Sequence, residues 1–151
     1  MLHVALFEPE IPPNTGNVAR LCAATGAPLH LVGRLGFHLD DRRLRRAGLD
    51  YWPDVSLVRH ATLVDFEQAL AGTRLVCFSA HAAVPYTRFA FRAGDCLVFG
   101  SESRGLPPDL LARHAEAAVT IPMPAGKVRS LNLATAVGIG LYEALRQLAA
   151  W

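Results

Sequence analysis

Ile121-Pro-Met-Pro-Ala-Gly-Lys-Val-Arg-Ser-Leu-Asn-Leu133 runs straight into a long apolar helix. Upstream of it, Cys96-Leu-Val-Phe-Gly-Ser-Glu-Ser-Arg-Gly105 passes from a buried-looking strand into a glycine-flanked turn. Each stretch couples a short apolar strand to a polar loop and then to a helix. In open α/β sheets, ligands bind beyond the carboxyl ends of the strands, where helix N-termini present unpaired N–H groups. Two such loops in succession predict a ligand site of that kind.

Strands are expected at Leu2 to Phe7, Leu29 to Val32, Val55 to Val58, Leu75 to Phe78, Cys96 to Phe99 and Ala118 to Ile121. Between them, helical patterns cover Thr15 to a C′ glycine at Gly26, the basic segment Asp40 to Ala47, Ala61 to Ala71, Pro107 to Arg113 and Asn132 to Leu148. Asn14 is the expected N-cap of the first helix. Strands that alternate with helices, and that are continuously apolar, make a parallel sheet covered on both faces. The chain of 151 residues, 52% of them apolar, carries no repeat or linker and reads as one α/β domain.

Strand-like sequence from Leu2 leaves no room for a signal peptide, and the most apolar run, Leu131 to Leu141, is too short to span a bilayer. A cytoplasmic protein is expected. Cys22, Cys77 and Cys96 are widely spaced and read as small buried hydrophobes, and the six histidines show no ligand spacing, so no metal site is expected. Net charge is only +2, but Arg42, Arg43, Arg45 and Arg46 form a local cluster that serves either as a solvated helix face or as phosphate contacts.

Three constellations carry chemistry. In Asn14-Thr-Gly-Asn-Val-Ala-Arg20, Arg20 sits on a rigid helix where its guanidinium fork can clamp a phosphate. Gly16, in the first turn, costs up to about 1 kcal/mol against alanine unless something approaches the backbone closely. In Gly100-Ser-Glu-Ser-Arg-Gly105, Leu106 stands where a phosphate-binding loop needs lysine, and Ser101 where a nucleophile elbow needs glycine. What remains is a tight turn presenting backbone groups and the Glu102 carboxylate. In Ser130-Leu-Asn132, small polar side chains lie beside free helix N–H groups, with Asn132 a candidate cap. Within the last helix, Ala134, Gly138 and Tyr142 share one stripe, and the two helical glycines Gly138 and Gly140 predict close packing against another backbone.

Taken in order, these pieces resemble the three motifs of the SPOUT superfamily of knotted RNA methyltransferases, in its ribose 2′-O-methylating branch. Leu6 to Asn17 and Arg43 to Tyr51 are similar to the small tRNA wobble-nucleotide enzymes, over nearly the whole chain. Ser101 departs from the proline expected there, and the loop Pro124 to Val128 is a residue short. The resemblance implies a parallel-sheet SPOUT fold with a C-terminal deep trefoil knot, without an appended RNA-binding domain, working as a homodimer through the C-terminal helix and knot. It implies S-adenosylmethionine as cofactor, held by Phe78, Gly100, Glu102, Ile121, Met123, Ser130 and Leu131. It further implies that Arg20, Asn14, Glu102, Ser130 and Asn132 serve methyl transfer to the 2′-hydroxyl of a wobble cytidine or modified uridine. The tRNA anticodon stem-loop would meet Arg20, Arg42, Arg43, Arg45, Arg46 and Tyr142. A ribosomal RNA target, or a silent RNA-binding module on the same fold, are the alternatives.

Overall fold

The computed structural model describes residues 1–48 and 51–151; Leu49 and Asp50, inside the Arg43 to Tyr51 segment, lie outside the described residues. The chain runs β1 (His3–Phe7), α1 (Pro12–Thr25), β2 (Leu29–Val32), α2 (Arg42–Gly48), β3 (Leu57–His60), α3 (Leu63–Ala69), β4 (Leu75–Phe78), β5 (Val84–Pro85), β6 (Cys96–Phe99), α4 (Pro108–Arg113), β7 (Ala118–Thr120) and α5 (Leu133–Leu148). The strands form one seven-stranded sheet in the order β3-β2-β1-β6-β4-β7-β5, with every pair parallel.

The central strands are apolar throughout because both faces are buried. Val4, Leu6, Leu97, Phe99 and Phe78 point toward the side covered by α1 and α5, while Ala5, Cys96, Val98, Leu75 and Cys77 meet Phe66 of α3 and Leu110 of α4. Cys22, Cys77 and Cys96 are buried free thiols, and burial pushes those of Cys22 and Cys77 up to about 12, so all three act as packing groups. No helix among the described residues is long and apolar enough to cross a membrane.

Several expectations need correcting. Helix α1 begins at Pro12, with two prolines pre-set for a first turn, so Ile11 and not Asn14 is its N-cap. The Gly26 terminus is as expected, in the left-handed region at φ 74°. Strand β3 lies two residues later than predicted: Val55 caps the short 3-10 turn Trp52–Asp54, and pairing with β2 starts only at Leu57, opposite Leu29. The short edge strand β5 has only two residues and no sequence pattern to announce it. Gly16 meets the close approach that its cost predicts, and the partner is a helix. A Cβ there would stand 2.5 Å from the Ala47 Cβ and 2.6 Å from the Leu44 carbonyl, so the close approach is that of α2 and not of a ligand. Among the described residues both helical glycines meet side chains and not another backbone: Gly140 packs on the Phe78 and Phe99 rings, 2.7 and 3.3 Å from where its Cβ would be, and Gly138 meets Leu21 at 3.6 Å.

A row of imidazoles crosses the α3 side of the sheet. His3 Nδ1 and His30 Nε2 share a hydrogen bond of 3.0 Å, and His30 Nδ1 and His60 Nε2 one of 2.9 Å. Burial, and then the neighbouring His3 and His60 rings, pull the His30 imidazole down to about 4. The fold therefore holds His30 neutral, while the unfolded chain takes up its proton near the ordinary value of roughly 6.5. The corresponding stability is complete above that pH and is lost as pH falls toward 4, by about 3 kcal/mol at the lower end. Denaturant titrations between pH 4 and 7 should show this slope, and His30→Leu should flatten it by that share even if its stability at neutral pH is lower. An unchanged slope in the variant would remove His30 as its source.

Candidate active site

Four loops converge at the carboxyl edge of the sheet: those after β1, β4, β6 and β7. The strand order places β6 and β4 between β1 and β7, so loops distant in sequence meet across β4 and β6. They enclose a cavity of about 500 Å³, within the ~300–1,000 Å³ usual for small-molecule sites. Phe78, Gly100, Glu102, Ile121, Met123, Ser130, Leu131, Asn14 and Asn132 all line it. Every cofactor candidate named from the sequence is thus on one wall or another. The sequence reading missed Ser79, Ala80 and His81 after β4, and Arg129 beside Ser130, which line it too. Arg129 stands inside the quoted loop and was legible as a cation; the β4 loop carries no motif.

The β6 loop closes on itself. Ser101 pairs with Gly105, whose φ of 68° suits glycine, and the Gly105 N–H donates to the Ser101 carbonyl at 2.9 Å. Gly100 lies under that closure: a Cβ there would be 2.1 Å from the Gly105 carbonyl carbon. The closed turn aims Glu102 at the start of α1. Its carboxylate accepts the Glu10 N–H at 2.9 Å, the Ile11 N–H at 2.8 Å and the Asn14 Nδ2–H at 3.2 Å. This satisfies donors left free at a helix N-terminus, where a negative charge is also favoured by the helix dipole. In return, Glu10 accepts the N–H and hydroxyl of Ser103 at 3.0 and 2.5 Å, and those bonds hold its carboxyl below the usual range.

From Glu102 a relay of side chains has one direction only. A carboxylate accepts and cannot donate, so Asn14 turns its Nδ2 toward Glu102 and its Oδ1 outward. Asn132 Nδ2 donates to that oxygen at 2.9 Å, and its own Oδ1 caps α5 by accepting the Thr135 N–H at 3.2 Å. Asn132 is the helix cap expected from the sequence. Asn14 is not one: it joins the three motifs across residues 14, 102 and 132.

Arg20 lies elsewhere. It is exposed on α1 and borders a shallow depression with Asn17, Leu21, Ala24, Asn132, Ala134, Thr135 and Gly138. Asn132 alone is common to the depression and the cavity, so it stands as the partition between them. Arg42, Arg43, Arg45 and Arg46 are exposed on α2, around the fully buried Leu44, and α2 packs against α1. Of these, Arg43 is paired with Asp41 at 3.3 Å. Tyr142 is exposed toward the end of α5 and stacks on Trp151, ring centres 6.4 Å apart, remote from the cavity. Among the described residues no group of His, Cys, Asp or Glu is arranged to hold a metal ion.

Known proteins are similar to this chain in sequence and fold. A tRNA (cytidine(34)-2′-O)-methyltransferase of Escherichia coli K12 is 46% identical over 149 residues, covering 98% of this chain and 94% of its own. A structure described as giving insights into the 2-OH methylation of C/U34 on tRNA superposes with a TM-score of 0.95 at 54% identity, covering 100% of this chain and 98% of that one. An AdoMet-bound rRNA methyltransferase from Sinorhizobium meliloti superposes with a TM-score of 0.86 at 33% identity; the match takes in 97% of this chain but 56% of the other. The model of the SpoU rRNA Methylase family matches residues 1–142, from β1 into the last helix and so through all three motif loops. The chain belongs to the SpoU methylase family.

Proposed function

We propose that the protein methylates the ribose 2′-hydroxyl of the wobble nucleotide, cytidine or modified uridine, in the tRNA anticodon loop, using S-adenosylmethionine. The observation that carries this reading is the relay Glu102–Asn14–Asn132, which ties the three motif loops together at the rim of a cavity of cofactor size.

The residues present fit S-adenosylmethionine. Phe78, Ile121, Met123 and Leu131 offer apolar walls for the adenine and ribose, and Gly100 keeps one wall as bare backbone. Ser130, Asn132 and Arg129 make the rim polar. When bound, the cofactor supplies a methyl group on a cationic sulfur; the protein must align a hydroxyl with it and favour the charge that develops on oxygen. Ser130 and Asn132 orient the ribose, and Asn14 and Glu102 hold Asn132 in place. A guanidinium is not deprotonated in proteins, so Arg20 does not act as a simple base. It clamps the adjacent phosphate and stabilises developing alkoxide charge across the Asn132 partition. The exposed arginines of α2 extend the same positive surface for RNA, with affinity that falls as salt rises.

On this reading the chain is one methyltransferase domain, cytoplasmic like its substrate, with a deep trefoil knot in the segment after β6. It works as a homodimer through α5 and the knot. The depression lined by Ala24, Ala134 and Gly138 supports that partner, since small residues let a helix approach closely, and Tyr142 would then serve the interface or the partner's RNA.

Incubating the protein with bulk tRNA and methyl-labelled cofactor, then mapping the labelled nucleoside, tests the proposal. Label on the ribose at the wobble position is expected. Label only in ribosomal RNA would change the target, and cofactor binding without any transfer would leave an RNA-binding module.

A further inference from the structure

The Arg20 guanidinium carbon lies 4.9 Å from the centre of the Tyr51 ring. We infer that Tyr51 is a positioning residue for Arg20: its ring face orients the guanidinium while leaving the N–H donors free for RNA. This rests on the reading of Arg20 as the group that engages the substrate phosphate and ribose.

Three other arginines show carboxylate pairing instead, and one of them, Arg74, also lies over the Phe89 ring at 4.7 Å. Arg74 gives two donors to the Asp95 carboxylate at 2.8 and 2.6 Å, Arg113 is held by Glu67, and Arg146 gives Nε and Nη2 to Glu143 at 2.8 and 2.9 Å. In each the in-plane fork is spent and the charge is offset. Arg20 has no hydrogen bond or ion pair among the described residues, and its guanidinium lies over the Tyr51 ring. A cation over an aromatic face is attracted through the ring quadrupole, and guanidinium stacks flat on such faces. The five N–H groups lie in the guanidinium plane, so a guanidinium lying flat on the ring spends none of them on that contact. A carboxylate would position the fork by occupying it; a ring positions the fork and leaves it open.

The ring is itself anchored. Tyr51 is half-buried, and its carbonyl accepts the Asp54 N–H at 2.9 Å at the start of the Trp52–Asp54 turn. Trp52 packs against the main core, fastening that turn beside α1. The 3-10 turn that precedes β3 thus brings the aromatic face to Arg20. The tyrosine hydroxyl makes no hydrogen bond among the described residues, so phenylalanine should serve as well.

The test compares Tyr51→Leu with Tyr51→Phe in the full chain. In the methyl-transfer assay with saturating tRNA, Tyr51→Leu should lower kcat about tenfold, the scale of one partly exposed cation–π contact. Tyr51→Phe should recover most of it, and neither change should alter Tm or the Kd for S-adenosylmethionine. Independently of activity, the Arg20 Nε–H proton should be displaced by the ring current in the wild type and Tyr51→Phe, and revert in Tyr51→Leu. Arg20→Ala run in parallel separates the two ideas: wild-type turnover there ends the Arg20 reading. The Tyr51 inference is overturned if the wild-type Arg20 resonance shows no ring-current displacement, or if Tyr51→Leu turns over normally while Arg20→Ala does not. It is equally overturned if Tyr51→Phe falls as far as Tyr51→Leu, or if activity, Tm and cofactor affinity drop together.

Discussion

Replacing Arg20 with alanine is expected to lower kcat by about 10²–10³-fold, the usual loss when a preorganised donor to developing oxygen charge is removed. S-adenosylmethionine affinity should be unchanged, because Arg20 borders the α1–α5 depression and is not among the cavity-lining residues. Its exposure on α1 also means that truncation removes no core packing, so Tm should hold. Lysine should restore only part of the activity, since an ammonium is a point charge and cannot present a planar fork. Single-turnover methyl transfer, with calorimetry for the cofactor, separates the two quantities. Wild-type turnover in the alanine variant would take Arg20 out of the chemistry and leave Ser130 and Asn132 as the ribose-facing groups.

The second large effect is at the other end of the site. Gly100→Ala is expected to weaken S-adenosylmethionine binding by about 100-fold or more and to cost on the order of 3 kcal/mol in stability, at the upper end of overpacking costs. A Cβ at that position would lie 2.1 Å from the Gly105 carbonyl carbon and 2.3 Å from the Leu106 nitrogen. Both are backbone atoms, so no rotamer change relieves the contact, and the 100–105 turn must open. Opening it withdraws Glu102 from the Glu10 and Ile11 N–H groups and with it the support of Asn14 and Asn132. Calorimetry and thermal unfolding of the single variant check this. Near-normal affinity would mean that the closed turn is not what shapes the cofactor wall.

Asn14, Glu102, Ser130 and Asn132 were legible as polar residues at strand ends, because an α/β sheet puts its ligand groups there whatever the sequence around them. Their mutual order was not legible. Asn14 reads as a helix cap, since asparagine before a polar first turn usually is one, yet the two prolines at Pro12 and Pro13 start the helix earlier and leave its side chain free for Glu102 and Asn132. Gly16 reads as a point of close approach without saying by what, and α2 is what approaches.

The parallel sheet, its layer order and the position of the binding edge follow from local rules: short apolar strands, helix punctuation, and burial on both faces. Those rules act over a few residues and survive without knowledge of the rest of the chain. The relay from residue 14 through 102 to 132, the separation of Arg20 from the cavity, and the Tyr51 ring beneath its guanidinium depend on which loops meet in space. Side-chain direction at such meetings is set by donors and acceptors on segments far apart in the chain, and no local periodicity carries that information.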